Sequence, residues 1–376
     1  MVLTLKLWQV IVSEKTTWLF ISGTDDTGLT GFGEATANHH IAEIIAQFNN
    51  AIDIAARCDL GISAKLAQIR RQIPGKAGKA IASACEQALL DIQSQRGGQP
   101  LFALLGGRYR EAIAAYANIN RGCISRTPEE FATRALSAVD MGYKAIKFAP
   151  FDGLQPIGLT SGESPALFVS GMARIAAVAA AVGGQARIQI DCHARVHPAD
   201  LDQLIDGLMA HGVGWLEEPI AETPENYARL AEVSRQLTPL KCRFAGAEQS
   251  ETLAQFAAFI QNRCYDVVMP DIILAGGLTE ALAVGRLAAQ FDIAVSPHNP
   301  CGPIMDVMSA HLAAATPIVE SMERQVAESP LYEEIITSAH QFRDGHYYLA
   351  DTAGSGVQLA LDHPAIQQIG QAKLPI

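Results

Sequence analysis

The sequence predicts an α/β protein whose larger part is a closed barrel of parallel strands, preceded by a smaller α+β segment. The chain has 376 residues, more than one ordinary core accommodates, so two domains are expected. From about residue 112, strand-like and helical runs alternate with a repeat of roughly 25 to 30 residues, which suits a barrel of about 250 residues. The alternative is an open doubly wound sheet, but no phosphate-binding glycine motif supports it.

The N-terminal segment combines predicted strands with predicted helices. Alternating apolar residues and short polar turns predict an antiparallel meander over 2–12, 16–22 and 29–34. Helical periodicity follows at 41–57, 63–72 and 77–95. The third of these helices is apolar on nearly all sides, so we expect it to be buried, and Gly97-Gly98 ends it.

The barrel segment contains eight predicted strands and seven predicted helices. The strands are expected at 112–119, 144–150, 186–193, 214–219, 243–249, 267–271, 293–298 and 318–321. The helices are expected near 128–141, 165–182, 198–211, 225–236, 252–262, 277–290 and 303–315. After residue 340 the chain returns to short strands, which could pack on the first segment. The long link 150–164 follows a barrel strand, so it should lie at the barrel mouth.

Composition and charge exclude several functional classes. The net charge of −11 and the lack of a basic stripe argue against nucleic acid as a partner. Any anionic substrate must therefore be bound by local positive charge. Seven scattered cysteines without a CxxC motif argue against a disulfide framework and a zinc ribbon. We find no signal peptide and expect no membrane-spanning run, so a cytoplasmic location is predicted.

Polar residues stand at the C-terminal end of one predicted barrel strand after another. Barrel enzymes carry their catalytic groups at this face because the strand ends converge there. One such residue would mean little, but a series over successive strands favours an active site. The series consists of Lys147, Asp191, His193, Glu217, Glu218, Glu248, Asp271, His298 and Glu320.

Three of these carboxylates predict a metal site. Asp191, Glu217 and Glu248 end successive strands and would repel one another without a counter-ion. Three carboxylates with water or substrate oxygens suit octahedral Mg²⁺, whereas zinc would recruit His or Cys. Glu218 should point away from the cation and form an ion pair in the barrel wall.

The remaining strand-end residues suggest acid–base chemistry. Asp271 and His298 end consecutive strands, and an Asp bonded to an imidazole raises its basicity, which predicts a general base. His193 is either a general acid or a residue that supports the metal ligands. Lys147 is either a group that holds an anionic substrate or an ordinary surface lysine.

These residues resemble motifs of the enolase superfamily, specifically its mandelate racemase/muconate lactonizing enzyme branch. The resemblance covers nearly the whole chain. In the N-terminal segment it rests on Gly31-Phe-Gly-Glu34, Ala88-Leu-Leu-Asp91 and Leu104-Leu-Gly-Gly107. In the barrel it rests on Trp215-Leu-Glu-Glu-Pro219, Ala245-Gly-Ala-Glu248, Pro270-Asp271 with Gly276-Gly277, and Ser296-Pro-His298.

The resemblance implies a capping domain on a (β/α)7β barrel of the TIM type. The capping domain would span 1–111, the catalytic barrel 112–340, and a segment at 341–376 would return to the capping domain. The resemblance also implies Mg²⁺, abstraction of a proton α to a carboxylate, and a homo-oligomer.

Within the branch, the chain most resembles acid-sugar dehydratases of the D-galactonate dehydratase type. This likeness rests on Asp191-Cys-His-Ala-Arg195, Ser296-Pro-His-Asn-Pro-Cys-Gly-Pro303 and Glu320. The racemases of the branch carry Lys-x-Lys on the second barrel strand. Here the match is Lys147-Phe148-Ala149, so the second lysine is missing.

The expected reaction is dehydration of an aldonate or aldarate to a 2-keto-3-deoxy acid. His298 would take the α-proton, Asp271 would stabilise the imidazolium, and Lys147 with Mg²⁺ would stabilise the enediolate. His193 would protonate the departing β-hydroxyl. Glu320 and Arg195 are further candidates for substrate contact, Glu320 through the carboxylate or enediolate oxygens.

Other outcomes remain open from the sequence. A racemase or epimerase would use the same enediolate, and a non-catalytic metal-binding scaffold would keep only the metal site. The hydroxyl stereochemistry of the substrate would be recognised from the link 150–164 and from the region of His39 and His40. Those two histidines are more often surface residues than substrate contacts.

Overall fold

The protein is an α/β protein, as predicted, and its computed structural model describes residues 2–376. Met1, at the start of the predicted capping domain, lies outside the described residues. The strands β1–β16 are Val2–Ile11, Thr17–Thr24, Thr30–Glu34, Ala112–Asn118, Ala145–Phe148, Arg187–Asp191, Trp215–Glu217, Arg243–Gly246, Val267–Val268, Ala294–Val295, Met322–Gln325, Ile336–Ser338, Gln341–Arg343, His346–Tyr348, Val357–Leu359 and Gln367–Pro375. The helices α1–α12 are Ile41–Ala56, Ile62–Gln72, Gly75–Arg96, Leu101–Leu104, Pro128–Asp140, Ser164–Val182, Leu201–Ala210, Tyr227–Leu237, Leu253–Gln261, Leu278–Ala289, Pro303–Ala315 and Leu331–Glu334.

The N-terminal strands form a four-stranded antiparallel sheet in the order β16-β1-β2-β3. The C-terminal strand β16 therefore pairs with β1, and the two ends of the chain lie in one sheet. Helix α3 packs closely on β3 because β3 carries glycines at the contact. A Cβ atom at Gly31 would lie 2.2 Å from Ala88 O, and one at Gly33 would lie 2.1 Å from Ala84 O. Only glycine allows this approach of helix and strand.

A second, mixed sheet is built on parallel strands. Strands β4 to β10 follow one another in chain order, and β11 pairs in parallel with β4. Hydrogen bonds also link β10 to the chain just before β11, since Val295 N donates to Ile318 O and Glu320 N donates to Val295 O. The hairpin β13–β14 lies antiparallel on the first residues of β4. The tail after residue 340 thus contacts both sheets.

The eighth parallel strand lies later in the chain than the sequence predicts. The expected range is 318–321, whereas β11 spans Met322–Gln325. The sequence Met-Glu-Arg-Gln lacks the apolar alternation of a strand, yet all four residues are buried. Their charges are paired inside the protein, for instance Arg324 with Asp306 at 2.8 Å. This shift changes which glutamate reaches the strand end.

The expectation that no stretch is long and apolar enough to span a membrane is wrong for helix α6. By length and composition alone it qualifies, with 19 residues and a mean hydropathy of 1.7. A single helix of this kind is weak support for a membrane protein. Its buried side includes Phe168, which stacks on Phe151 with ring centroids 5.6 Å apart. Phe151 belongs to the long link 150–164, so this link packs partly against α6.

Candidate active site

Three carboxylates converge at the C-terminal ends of neighbouring parallel strands. Asp191 ends β6, Glu217 ends β7, and Glu248 follows β8 by two residues. Asp191 pairs in register with Glu217, and each of the three residues offers an oxygen within 4.8 Å of the others. All three side chains are buried. The structure thus brings together the three residues predicted to bind the metal.

The donor set fits a hard divalent cation. Oε2 of Glu248 is buried without a hydrogen bond, although His298 Nε2 lies 3.2 Å away. Burial, together with the charges of Asp191 and Glu248, raises the pKa of Glu217 to about 8 despite the opposing effect of Lys147. A cation among these oxygens would satisfy the unpaired acceptor and relieve the repulsion. Carboxylate oxygens are the ligands that Mg²⁺ and Ca²⁺ prefer.

Lys147 is a buried residue of the same cluster rather than a surface lysine. Its Nζ lies 2.7 Å from Oε1 of Glu217 and 3.0 Å from Oε1 of Glu323, and its side chain is 1% exposed. The indole nitrogen of Trp215 donates to the other oxygen of Glu217 at 2.8 Å. These bonds fix the orientation of Glu217 and place a permanent positive charge beside the metal carboxylates.

Glu323 is a site residue that the sequence analysis missed. It lies on β11, fully buried, with one oxygen accepting from Asn118 Nδ2 at 2.7 Å and the other from Asn299 N at 3.0 Å. Its Oε2 is also 4.0 Å from His298 Nε2. No hydrophobic pattern marks this strand, so periodicity gives no signal for Glu323.

Glu320 does not reach the site, contrary to the prediction. Its two oxygens lie 2.8 Å from Arg187 Nη1 and 2.9 Å from Arg243 Nη2. Those arginines are the first residues of β6 and β8, whereas the site lies beyond the last residues of these strands. The two arginines lower the pKa of Glu320 against the effect of burial. Glu320 therefore belongs to a cluster of ion pairs at the opposite end of the sheet.

Asp271 and His298 form a hydrogen-bonded pair. His298 Nδ1 lies 2.9 Å from Asp271 Oδ2, and a parallel bridge joins the backbones of the two residues. Asp271 is itself held by the backbone N–H groups of Ile273 at 2.7 Å and Leu274 at 3.0 Å. The pair therefore has a fixed orientation, with Nε2 of the imidazole directed towards the metal carboxylates.

The metal carboxylates and Asp271 control the protonation of His298. Burial alone would lower the pKa of His298, but Glu248, Asp271 and Glu323 outweigh it and raise the pKa to about 10. A bound divalent cation would offset much of this negative charge and favour the neutral imidazole. A general base must be neutral before it accepts a proton.

His193 contacts Asp191, one of the three carboxylates predicted to bind the metal. Its Nε2 lies 2.9 Å from Asp191 Oδ2, and its backbone adopts the left-handed region with a φ of 49°. Burial would lower the pKa of His193, but Asp191 raises it above its usual value. In turn, His193 lowers the pKa of Asp191 to about 2 against the effect of burial. A protonated imidazole in this position can donate a proton.

Glu218 is not one of the three clustered carboxylates, and within residues 2–376 it does not form the predicted ion pair. It is buried, and its carboxyl group is hydrogen-bonded to Glu222. Burial and the charge of Glu222 raise the pKa of Glu218 well above its usual value. The two carboxyl groups therefore share a proton instead of pairing with a cation.

A cavity of about 320 Å³ lies beside the Asp271–His298 pair and is lined by side chains from both parts of the chain. The N-terminal segment contributes Thr36–His40 and Lys76, and the segment with the parallel strands contributes Arg121, His193, Glu248, Gln249, Asp271, Ile273, Leu274, His298 and Pro300. His39 and His40 thus face the cavity, which sequence reasoning did not favour. The link 150–164 supplies no lining residue, and Arg195 instead donates to Phe151 O at 2.9 Å.

Glu34 fixes the chain that follows His298. This carboxylate on β3 is fully buried and accepts from Gly302 N at 2.6 Å and Met305 N at 2.9 Å. These N–H groups belong to Gly302, which precedes α11, and to the first turn of α11, and they would otherwise lack partners. Glu34 therefore caps helix α11 from the N-terminal sheet, only a few residues after His298.

Replacing Glu34 by alanine should destabilise the protein by about 2–4 kcal/mol, because two buried N–H groups lose their acceptor. Burial raises the pKa of Glu34 from 4.5 to about 7. The folded state thus holds a proton that the unfolded state releases between these values, so the contribution of Glu34 falls as the pH rises through this window. The stability difference between wild type and variant, measured by urea unfolding, should be larger at pH 5 than at pH 8. Glu14→Ala, at an exposed turn, is the control, and equal midpoints for both variants would contradict this role.

Comparison with known proteins agrees with the geometry. The model of the family described as "Enolase C-terminal domain-like" matches residues 130–363. A D-gluconate dehydratase from Thermoproteus tenax is 31% identical over 307 residues, which cover 79% of this chain and 58% of that protein. The chain thus matches less than two thirds of that relative's length. A D-galactonate dehydratase from Pectobacterium atrosepticum is 25% identical over 91% of this chain and 88% of its own length.

The same architecture occurs in a solved structure. A mandelate racemase/muconate lactonizing enzyme from Jannaschia sp. CCS1 superimposes with a TM-score of 0.79 at 25% identity. The match covers 95% of this chain and 94% of that protein, so it includes the N-terminal segment as well as the parallel strands.

Proposed function

Because the chain belongs to the enolase C-terminal domain-like family, we propose that it is a Mg²⁺-dependent dehydratase of an acid sugar. It would abstract the proton α to the carboxylate of an aldonate or aldarate and eliminate the β-hydroxyl to give a 2-keto-3-deoxy acid. The observation that carries the proposal is the Asp271–His298 pair, whose Nε2 lies 3.2 Å from Glu248 at the edge of the carboxylate cluster. The dehydratases among the relatives support the same class of reaction.

The proposal also extends to the architecture and the cell. The hydrogen bonds from β10 to Ile318–Glu320 and from β11 to β4 support a closed (β/α)7β barrel. Domain boundaries at 1–111, 112–340 and 341–376, a homo-oligomeric state and a cytoplasmic location stay predictions.

Proton abstraction creates the main energetic problem. A proton α to a carboxylate is weakly acidic, and its removal leaves an enediolate with two negative oxygens. A Mg²⁺ held by Asp191, Glu217 and Glu248 would supply positive charge to those oxygens. Lys147, already desolvated between Glu217 and Glu323, would add a fixed charge on the same side. Asp271 would stabilise the imidazolium that forms when His298 takes the proton.

Loss of the β-hydroxyl then requires an acid, because hydroxide is a poor leaving group. His193 is the candidate, because it lines the cavity and its Nε2 lies 2.9 Å from Oδ2 of Asp191. Water leaves with the proton of His193, the electron pair of the enediolate forms the C2–C3 double bond, and the enol becomes the 2-keto acid.

Racemisation is the second candidate reaction, and one observation bears on it. A racemase needs a proton carrier on each face of the substrate, and here Ala149 stands where the racemases carry the second lysine. A methyl group cannot carry a proton. His193 faces the cavity, however, and could serve as a second base.

The variant His193→Asn separates these reactions. We expect it to lose dehydration by about 10²- to 10⁴-fold, since it lacks the acid, while retaining exchange of the α-proton in deuterated buffer. Product formation and exchange are measured together by NMR on an acid sugar that the wild type accepts. His211→Asn, at the end of α7 and outside the cavity, is the control.

Two results would overturn the dehydratase assignment. If the wild type yields the C2 epimer without a keto acid, His193 is a racemisation base. If a broad panel binds but shows neither exchange nor turnover, the protein is a non-catalytic metal-binding scaffold.

A further inference from the structure

We propose that the cavity is built for a dicarboxylic acid sugar, an aldarate, and that Lys76 binds the carboxylate farthest from the metal cluster. This inference rests on the proposed function and specifies its substrate class. It departs from the substrates in the names of the two dehydratase relatives, which are monocarboxylic aldonates.

The charges of the cavity are divided between its two ends. The acidic lining residues, Glu248 and Asp271, both come from the barrel. The N-terminal segment contributes no acidic side chain to the lining, but it does contribute Lys76 and the adjacent histidines His39 and His40. A ligand that places one carboxylate at the metal end would therefore meet positive charge at the other end.

Lys76 is the lysine of this end, and it lacks an anionic partner. Its contact is with a neutral group, Gln249 Oε1, at 3.4 Å, and among residues 2–376 it makes no ion pair. Lys79, one turn further along α3, is instead paired with Glu251 at 2.5 Å. An ammonium in a partly enclosed cavity without a carboxylate is available to a ligand anion.

The position of Lys76 relative to the metal cluster suits the second end of a short substrate. Gln249, which Lys76 contacts, donates through Nε2 to Oε1 of the metal-cluster residue Glu248 at 3.0 Å. One side chain thus separates the ammonium from the cluster. Lys76 is also the second residue of the 22-residue helix α3, whose first turn contains no acidic residue, so the helix dipole adds to its charge.

Arg121 and His40 near this end already have protein partners, and the remaining histidine, His39, is not a permanently charged group. Arg121 donates to Thr16 Oγ1 at 3.3 Å and to Pro300 O, and it pairs with Glu328 at 3.4 Å. His40 Nδ1 lies 3.1 Å from Glu43 Oε2. Lys76 therefore carries the permanent charge that remains for a ligand, and the net charge of −11 makes such a local charge necessary for a dianion.

The test compares acid sugars that differ only at the terminal carbon. Galactarate with galactonate, and glucarate with gluconate, are matched pairs in which a carboxylate replaces a CH₂OH group. For the Mg²⁺-loaded wild type we expect a higher kcat/KM and a lower Kd for the aldarate. Lys76→Met should lower kcat/KM for the aldarate by about 10- to 100-fold, mainly through a higher KM. It should leave kcat/KM for the aldonate within about twofold of wild type. Lys79→Met, on the same helix but paired with Glu251, should leave the ratio unchanged.

Three outcomes overturn the inference. The first is a wild type that prefers aldonates. The second is a Lys76→Met variant that lowers kcat/KM equally for the aldarate and the aldonate, and the third is a variant that lowers kcat/KM for neither. Calorimetric Kd values keep the failure of this inference distinct from that of the proposed function. If no pair yields a keto acid, the dehydratase assignment fails, yet selective loss of aldarate affinity in Lys76→Met would still establish the carboxylate site. If aldonates are dehydrated and aldarates neither bind nor react, only the inference about Lys76 fails.

Discussion

His298→Asn is expected to lose both exchange of the α-proton and dehydration, by about 10²- to 10⁴-fold or more. Asparagine keeps a similar shape and can still bond to Asp271, but it cannot accept a proton. Because the imidazole is fixed by Asp271 at 2.9 Å and faces the metal carboxylates, no other base is held in the same place. The measurement is the rate of deuterium incorporation and of keto-acid formation on one substrate.

Asp271→Asn provides the graded comparison for this prediction. It retains the imidazole but removes the charge that stabilises the imidazolium, so exchange should fall less than in His298→Asn. Exchange that persists within a few fold of wild type in His298→Asn would show that another residue takes the proton.

Glu217→Gln is expected to abolish turnover because it weakens Mg²⁺ binding. The substitution keeps the volume of the side chain but removes one of three buried carboxylates, and it leaves the Lys147 ammonium with Glu323 as its ion-pair partner. Calorimetric titration with Mg²⁺ should give an affinity at least about tenfold weaker, and activity should disappear.

The neighbouring residue supplies the matched control. Glu218 lies outside the three-carboxylate cluster, and burial together with the charge of Glu222 raises its pKa, so glutamine resembles its neutral form. Glu218→Gln should therefore retain Mg²⁺ binding. Full activity of the wild type after exhaustive chelation would contradict the metal requirement altogether.

The sequence predicted the residues that end apolar parallel strands. Asp191 ends a strand with alternating apolar residues, and Glu217 ends the short apolar strand that begins at Trp215. The ends of parallel strands converge by geometry alone. The same argument located Asp271 and His298, because each follows a short strand, β9 or β10.

The position of the eighth strand was predicted wrongly, for a physical reason. Buried strand residues can be polar when they are paired, and Glu323 is held by Lys147 and Asn118 instead of by apolar packing. Periodicity then placed the strand too early, on 318–321, and selected Glu320 in place of Glu323. Only the three-dimensional partners of each glutamate distinguish the two.

Contributions from the N-terminal segment were also beyond sequence reasoning. Glu34 meets the first turn of α11 across 268 residues of chain, and no local pattern encodes such a contact. His39, His40 and Lys76 reach the cavity because the N-terminal segment lies beside the C-terminal ends of the parallel strands. Their neighbours in sequence give no sign of this position.

The most direct test of the account is product analysis of the wild type. The protein is incubated with Mg²⁺ and a library of aldonic and aldaric acids, and the products are identified by mass spectrometry and NMR. The account predicts at least one 2-keto-3-deoxy acid, formed with loss of one water and dependent on Mg²⁺. Recovery of every acid unchanged, or only as its C2 epimer, would contradict it.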